Sequence, residues 1–257
     1  MTSIFLVGVR KTVLGTVTIV LMKQLYQYVL IILIILIVVT QNTTKKEKVA
    51  DVTPTPTIKN DKPIVWWRAE AKDLILIDNT KDLKSSKQLA SEAGCLAGIN
   101  AFYYDQNNKP LGWLVINNQL NNKSHKSNLL NGFLYVKNNR FYISDKMTKG
   151  VIYGHQAGPT LISNFKFQIS NLDDLVADRR SVAIQTEDDQ TVFVWVEEAT
   201  LAGLPEILTK LAMENGFTVK NAINLDGGNS SAIWTEEESR RETFFAGGFW
   251  CKSGVLQ

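Results

Sequence analysis

The chain has 257 residues, of which 45% are hydrophobic and 21% charged, a composition typical of one or two folded domains. Its formal net charge of only +3, without an arginine-rich strip, gives no reason to expect a nucleic acid partner. Two histidines and two cysteines are too few for a Cys/His zinc cluster.

The N-terminal part contains a long apolar run. Residues 25–40 read LYQYVLIILIILIVVT, and their continuous aliphatic centre with flanking tyrosines predicts a transmembrane signal anchor. Arg10, Lys11 and Lys23 precede the run and favour a cytoplasmic segment at residues 1–24. Met22 and Lys23 would also begin a conventional signal segment, so residues 1–21 could be an extension.

A polar stretch follows the apolar run. Residues 41–63 are rich in Thr, Lys, Asn and Pro and predict a flexible, semi-extended linker. The sequence therefore predicts a single-pass membrane protein that holds a domain of residues 64–257 outside the cytoplasm. The alternative is a secreted protein released by signal cleavage.

The remaining residues alternate short apolar runs with polar turns. Helices are predicted at residues 84–93 and 204–216, the second from apolar residues at helical spacing, with Pro205 in its first turn. Strands are predicted at residues 64–78 (one or two strands), 95–104, 112–117, 133–136, 140–144, 151–153, 160–162, 181–186, 191–196 and 221–225. This order predicts an α+β domain with a mixed, mostly antiparallel sheet and a few packed helices.

The most informative stretch is residues 222–232, AINLDGGNSSA. An apolar strand ends at Asp226, and Gly227 and Gly228 can adopt positive φ and let a ligand approach the backbone. Asn229 also tolerates left-handed conformations, and Ser230 adds a hydroxyl beside backbone N–H groups that could cradle an anion. The same letters are compatible with an ordinary Asp-Gly turn.

Four short blocks, in matching order and spacing, resemble the phosphodiester glycosidase family. They are residues 99–105 (INAFYYD), 156–161 (QAGPTL), 179–184 (RRSVAI) and 224–231 (NLDGGNSS). The resemblance extends over about residues 64–257 and implies cleavage of a sugar-1-phosphodiester, on an envelope glycan or an extracellular one such as exopolysaccharide.

Such a substrate requires an acid or base, an anion cradle and hydrogen-bond partners for the sugar. Asp226 and Asp105 each follow an apolar strand and are predicted to meet in one cleft as the catalytic carboxylates, and His155 is a third catalytic candidate. The predicted substrate- and phosphate-binding residues are Arg180, Asn100, Gly227, Gly228, Asn229 and Ser230.

Two positions depart from the family's pattern. Phe102 stands where a small residue is usual and is expected to narrow the pocket, whereas Asn229 replaces a third glycine and is expected to hold the same backbone shape. No cofactor is required by this chemistry, and Ca²⁺ is possible without any loop that indicates it. A disulfide between Cys95 and Cys251 and two separate buried thiols are equally compatible with the sequence.

Two other functions remain open from the sequence. A glycan-binding envelope protein could keep this fold without turnover, and Phe102 favours that alternative. A phosphodiesterase that attacks phosphorus, with Ser230 or a metal at its centre, is the third possibility.

Overall fold

The computed structural model describes residues 63–168 and 176–254. The chain divides into two units, Met1–Lys59 and Asn60–Gln257, and all described residues belong to the second. The predicted segment at residues 1–24, the anchor at 25–40 and nearly all of the linker at 41–63 lie outside the described residues. Among those described, no helix has the length and apolarity needed to span a bilayer.

The largest sheet has six strands in the order β1-β12-β11-β13-β9-β10. Its strands are β1 (Ile64–Ala69), β9 (Thr160–Ser163), β10 (Lys166–Phe167), β11 (Asp178–Thr186), β12 (Thr191–Ala199) and β13 (Val219–Asn224). β11 lies at the centre and pairs with β12 and β13, with Val182 opposite both Val194 and Asn224. Its buried, β-branched residues suit a strand that is covered on both faces.

Two five-stranded sheets complete the β structure. The second sheet has the order β15-β14-β3-β16-β2, and the third has the order β5-β4-β8-β6-β7. The strands of the second sheet are β2 (Leu74–Asp78), β3 (Cys95–Asn100), β14 (Ile233–Thr235), β15 (Ser239–Arg240) and β16 (Gly248–Ser253). Those of the third are β4 (Leu114–Ile116), β5 (Gln119–Asn122), β6 (Gly132–Lys137), β7 (Arg140–Ser144) and β8 (Tyr153–Ala157).

Two α-helices lie among the described residues. Helix α1 (Ser86–Glu92) begins with a capping box, in which Ser85 and Gln88 satisfy each other's backbone N–H groups. Helix α2 (Leu204–Glu214) has Pro205 in its first turn and is followed by Gly216 at φ +69°. Both predicted helices are confirmed, and so is the α+β class with mostly antiparallel pairing. The single mixed sheet that was predicted is instead three sheets, and all strand pairs in the described part are antiparallel.

The core has two main layers, one on each face of the first sheet. On one face, Leu204, Leu208 and Leu211 of α2 pack on residues such as Ile184 and Val194. On the other face, side chains of all three sheets meet in one cluster that includes Phe193, Trp195, Ile99, Leu134 and Trp250. The first sheet is therefore sandwiched between helix α2 and the other two sheets, which buries most of the residues in its central strands.

Two strand boundaries differ from the prediction. The strand predicted at residues 95–104 ends at Asn100, because the chain then leaves the second sheet and turns toward β13. The strand predicted at residues 151–153 lies further along the chain: β8 covers Tyr153–Ala157, and its residues His155, Gln156 and Ala157 pair with β6. The turn itself is confined to Gly158 and Pro159, which are joined by a cis peptide bond.

Candidate functional site

The four sequence blocks converge where β13 ends. The backbone N–H of Asp226 donates to the Ala101 carbonyl at 3.1 Å, and that of Leu225 donates to the Ser181 carbonyl at 2.8 Å. The N–H of Gly158 donates to the Asn224 carbonyl at 3.0 Å. Segments 44, 66 and 125 residues away in the chain are thus joined to the end of β13 by direct backbone hydrogen bonds.

Asp226 lies at the centre of this convergence. Its side chain is partly buried, its Oδ1 accepts a hydrogen bond from the Gly227 N–H at 2.9 Å, and the Ser230 hydroxyl also donates to the carboxyl. Burial raises the pKa of this carboxyl to about 7, against the opposing effect of the two hydrogen bonds. A carboxyl that titrates near neutral pH can accept and release protons under physiological conditions.

The glycine-rich turn after Asp226 brings the backbone close to β11. Gly227 is extended, and a Cβ there would lie 3.2 Å from the Arg179 carbonyl. Gly228 has φ +56°, and a Cβ there would lie 2.9 Å from the Asp178 carboxylate. The positive φ therefore favours glycine at Gly228, and a side chain there would also displace the exposed Asp178 carboxylate.

Asn229 does not need the conformation that was expected of it. The left-handed residue of the turn is Gly228, and residues Gly228–Ser230 form a short 3₁₀ helix. The carbonyl of Asn229 accepts hydrogen bonds from the N–H groups of Thr243 (2.8 Å) and Phe244 (3.2 Å). Asparagine thus fits this position without backbone strain. Among the described residues, no acceptor forms a hydrogen bond with the backbone N–H groups of Gly228 and Asn229.

Arg180 lies beside the turn. Its Nε donates to the Ala199 carbonyl at 3.0 Å and its Nη2 to the Val176 carbonyl at 3.0 Å, which fixes the guanidinium plane. Its Nη1 lies 3.6 Å from the position that a Cβ on Gly227 would occupy. The structure therefore brings the guanidinium charge next to the predicted anion cradle.

Asn100 lies inside the protein at the end of β3 and is fully buried. Its Nδ2 donates to the Asp226 carbonyl at 2.6 Å, and its Oδ1 accepts from the Ser181 hydroxyl at 2.5 Å and from the Ala232 N–H at 3.0 Å. The hydroxyl oxygens of Ser181 and Ser231 are 2.7 Å apart and share a hydrogen bond. These contacts give Asn100 the geometry of a residue that positions Asp226, behind the surface a substrate would touch.

Tyr103 and Asn224 form a second buried layer under the site. The Tyr103 hydroxyl lies 2.7 Å from the Leu225 carbonyl and 2.9 Å from the Gly158 carbonyl, and it accepts a hydrogen bond from Asn224 Nδ2 at 2.8 Å. Burial, and the nearby Asp226 carboxyl, raise the pKa of Tyr103. The phenol therefore stays protonated and ties the Gly158 turn to the end of β13.

An aromatic rim lies next to Ser230. The Tyr104 hydroxyl is 3.0 Å from Ser230 Oγ, and its ring stacks on Phe245 with centroids 4.4 Å apart. Phe244 is 71% exposed, and the segment that carries it is held by Arg179, which donates to the Thr243 hydroxyl and the Arg241 carbonyl. Sequence reasoning assigned no role to these aromatic residues, although Tyr103 and Tyr104 lie in one of the four blocks.

The structure does not bring Asp105 to Asp226. Asp105 Oδ1 accepts hydrogen bonds from the N–H groups of Asn107 (2.8 Å) and Lys109 (2.9 Å), and these backbone donors, led by Lys109, lower its pKa. Among the described residues, none of its contacts reaches Asp226. Its position is that of a carboxylate that closes a local turn.

His155 is likewise placed in the core, fully buried between Phe102 and Trp250. Its Nε2 accepts from the Trp250 indole N–H at 3.0 Å, so the proton is on Nδ1, which donates to the Gln156 carbonyl at 3.1 Å. Burial lowers its pKa to about 4, so the ring is neutral at physiological pH. Phe102 is also 1% exposed, so its ring fills the core rather than the mouth of a pocket.

Cys95 and Cys251 are joined by a disulfide between β3 and β16, with Cα atoms 5.5 Å apart. Phe249, Leu89 and Ala90 surround it. Within residues 63–168 and 176–254, no three His, Cys, Asp or Glu side chains lie close enough together to hold a metal ion.

Comparisons with known proteins agree with this arrangement. The model of the phosphodiester glycosidase family matches residues 93–250, more than half of the chain, and this range contains all four blocks. No protein of curated function matches the chain in sequence.

Two solved structures share the fold. The zebrafish N-acetylglucosamine-1-phosphodiester alpha-N-acetylglucosaminidase catalytic domain, auto-inhibited by its pro-peptide, aligns with a TM-score of 0.57 at 12% identity over 79% of this chain and 85% of its own. A hypothetical protein from Synechocystis aligns with a TM-score of 0.50 at 13% identity, over 74% of this chain and 59% of its own. On the strength of the family match, the chain belongs to the phosphodiester glycosidase family, whose members are glycosidase-type hydrolases.

Proposed function

We propose that this protein hydrolyses sugar-1-phosphodiesters and releases the sugar. The observation that carries the proposal is the convergence of the four blocks on one partly buried carboxyl, Asp226, beside a glycine turn and the Arg180 guanidinium. The zebrafish relative of the same fold is named for an N-acetylglucosamine-1-phosphodiester, which makes that sugar ester the first substrate to test.

In the proposed complex the phosphodiester lies on the turn. The N–H groups of Gly228 and Asn229 and the charge of Arg180 bind its non-bridging oxygens. The sugar then lies toward Tyr104 and the exposed ring of Phe244, whose faces can pack on its apolar side. The N–H groups and the guanidinium favour the transition state because charge builds on the departing phosphate.

Asp226 is the proposed proton acceptor for the attacking water. The water oxygen forms a bond with the anomeric carbon, the bond from that carbon to the phosphate oxygen breaks, and the water proton passes to the Asp226 carboxylate. The Gly227 N–H and the Ser230 hydroxyl donate to the ionised form and orient it. Asn100 and Tyr103 position the backbone on either side of Asp226, and neither Asp105 nor His155 takes part in the proposed reaction.

We also propose that the domain works outside the cytoplasm on an envelope or extracellular glycan. The disulfide supports an oxidising compartment, and the apolar run at residues 25–40 supports attachment to a membrane. This placement is tested by treating intact cells with a membrane-impermeant amine reagent. We expect the reagent to label Lys residues of the domain. Labelling that appears only after lysis would contradict it.

The reaction is tested with full-length protein and the N-acetylglucosamine 1-(methyl phosphate) diester in ¹⁸O-labelled water. We expect free sugar with the label on its anomeric oxygen and unlabelled methyl phosphate. Asp226→Asn is expected to lower kcat at least about 100-fold because it removes the proton acceptor. Asp188→Asn, which changes an exposed carboxyl in the β11–β12 turn, is the matched control and should keep full activity.

Other outcomes would contradict the proposal. Label in the phosphate product would show attack at phosphorus, and binding without product would show a glycan-binding protein. Equal turnover by wild type and Asp226→Asn would refute the assigned role of Asp226. Phe102 no longer favours the binding protein, because its ring is buried in the core.

A further inference from the structure

A cavity lies between the first and third sheets, away from Asp226. Its volume is about 450 Å³, within the range of about 300–1,000 Å³ that small-molecule sites occupy. Polar side chains supply most of its wall: Asn131, Thr160, Ser163, Asn164, Gln168 and Asn221.

The chemistry of this wall selects among ligand classes. The lining, which falls wholly within the described residues, contains no Lys, Arg or His, so it offers an anion no positively charged side chain. Asp145 is its one carboxylate, and a single carboxylate is not enough to bind a metal cation. Ile143 is its one apolar side chain, so the wall does not favour an apolar ligand. Amides and hydroxyls that both donate and accept match an uncharged polyhydroxylated ligand.

Part of the wall is already fixed, and part of it retains hydrogen-bonding capacity. Asn131 Oδ1 accepts from the Thr160 N–H (2.8 Å) and hydroxyl (3.1 Å), which leaves the Asn131 amide donors for a ligand. Asn221 Oδ1 accepts from the Asn164 N–H at 2.9 Å, which holds the Asn164 backbone in place. The side chains of Ser163 and Asn164 have no partner among the described residues.

The cavity lies within reach of the candidate active site along β13. Asn221 lies on β13, five residues before Asp226, or about 16 Å along an extended chain. Thr160 lies two residues beyond Gly158, whose carbonyl contacts the Tyr103 hydroxyl under the site. A ligand of several sugar units could therefore occupy both places.

We propose that this cavity is a subsite for uncharged sugar units of an oligosaccharide substrate. The inference rests on the proposed function for its role in catalysis, and it adds that this cavity binds the part of the substrate that extends beyond the phosphodiester. The cavity holds the glycan chain while the phosphodiester lies on the glycine turn.

Binding is tested by titration calorimetry with full-length Asp226→Asn, which removes turnover. The probes are neutral tetrasaccharides of glucose and of N-acetylglucosamine, and an acidic tetragalacturonate. We expect at least one neutral probe to bind and the acidic probe to bind at least about tenfold more weakly, because Asp145 repels it. Absence of binding by both neutral probes, or tighter binding of tetragalacturonate, overturns the proposal.

Two variants locate the binding. Ser163→Trp fills the cavity and should weaken binding at least about tenfold, and Asn164→Gly should weaken it about fivefold by removing one hydrogen-bonding amide. Glycine is tolerated at position 164 because Asn164 has φ 48°. Asn138→Gly, at φ 50° in the exposed β6–β7 turn, is the matched control, and this variant should bind the tetrasaccharides as wild type does. Unchanged binding by folded Asn164→Gly and Ser163→Trp refutes the proposed location.

Kinetics on Asp226-intact protein separate this inference from the proposed function. For a phosphodiester extended by a neutral tetrasaccharide, Asn164→Gly should raise KM about fivefold with kcat unchanged, whereas the unextended diester should show no change. Turnover of the unextended diester with no effect of the cavity variants refutes only the subsite. Tetrasaccharide binding without turnover of either diester refutes only the hydrolase.

Discussion

At the scale of single residues, the site depends on one carboxyl in an unfavourable environment. Burial raises the pKa of Asp226, and only the Gly227 N–H and the Ser230 hydroxyl oppose this effect. The guanidinium of Arg180 is held near the turn by the backbone carbonyls of Ala199 and Val176. The fold therefore keeps a carboxyl with a near-neutral pKa close to a guanidinium, the two groups on which the proposed reaction depends, and burying that carboxyl lowers stability.

The pH dependence of activity follows from this pKa. Because the ionised carboxyl is the proposed acceptor, kcat/KM should rise tenfold per pH unit below about 7 and level off above it. Initial rates from pH 4.5 to 9 on the free enzyme measure this profile. Activity that falls as pH rises through 7 would show that Asp226 acts as an acid instead.

The same pKa predicts an effect on stability. The Asp226 pKa is raised from 3.8 to about 7 on folding, so the folded state binds the proton more tightly and loses stability as pH rises between these values. Asp226→Asn, which keeps an oxygen for the Gly227 N–H, should therefore raise the free energy of unfolding by about 1–3 kcal/mol at pH 8. Urea unfolding of wild type and Asp226→Asn at pH 8 and pH 4 measures this difference in unfolding free energy, which should be much smaller at pH 4.

At the scale of elements, the site is built where strands of different sheets end together. β3 ends at Asn100, whose side chain bonds to the carbonyl of Asp226, to Ser181 on β11 and to Ala232 just before β14. One amide thus joins the end of β3, the interior of β11, the residue before β14 and the turn at Asp226. A buried network in which each member has partners fixes a single arrangement of these segments.

Loss of this amide should affect stability and catalysis together. Asn100→Ala leaves the Ser181 hydroxyl, the Ala232 N–H and the Asp226 carbonyl short of partners, so we expect a loss of about 2–4 kcal/mol in unfolding free energy. Denaturant unfolding and kcat measure the two effects. The exposed Asn107→Ala should change neither, and a stable, fully active Asn100→Ala would contradict the positioning role.

At the scale of the whole molecule, three sheets and helix α2 share one continuous packing arrangement around the first sheet. The Cys95–Cys251 disulfide joins the neighbouring strands β3 and β16 of the second sheet across 156 positions of sequence, and it packs against α1. A link over so long a loop removes many conformations from the unfolded chain.

Removal of this link should therefore destabilise the whole domain. We expect the double variant Cys95→Ala, Cys251→Ala to lose about 3–5 kcal/mol of unfolding free energy. Thermal unfolding with and without reductant measures this: wild type should lose stability on reduction and the double variant should not respond. Equal free-thiol counts in denatured wild type with and without reductant would show that the bridge is absent.

Some features followed from local sequence alone. The apolar spacing from Leu204 to Ala212 predicted α2, and the Asp188-Asp189 turn between two β-branched runs predicted the β11–β12 hairpin. The position of Asp226 directly after a buried strand and before two glycines also followed from its neighbours in the chain. These properties depend on residues a few positions apart, so periodicity and turn chemistry are enough to predict them.

Only the tertiary structure decided which of the predicted groups meet. Asp105 has the same sequence signature as Asp226, yet its carboxyl closes a turn, and His155 pairs with Trp250, 95 residues away. Tyr103 and Asn100 contact the Asp226 turn from more than 120 residues away. Such partners depend on how the sheets stack and where each strand ends, and this is set by the packing of the whole core rather than by any local pattern.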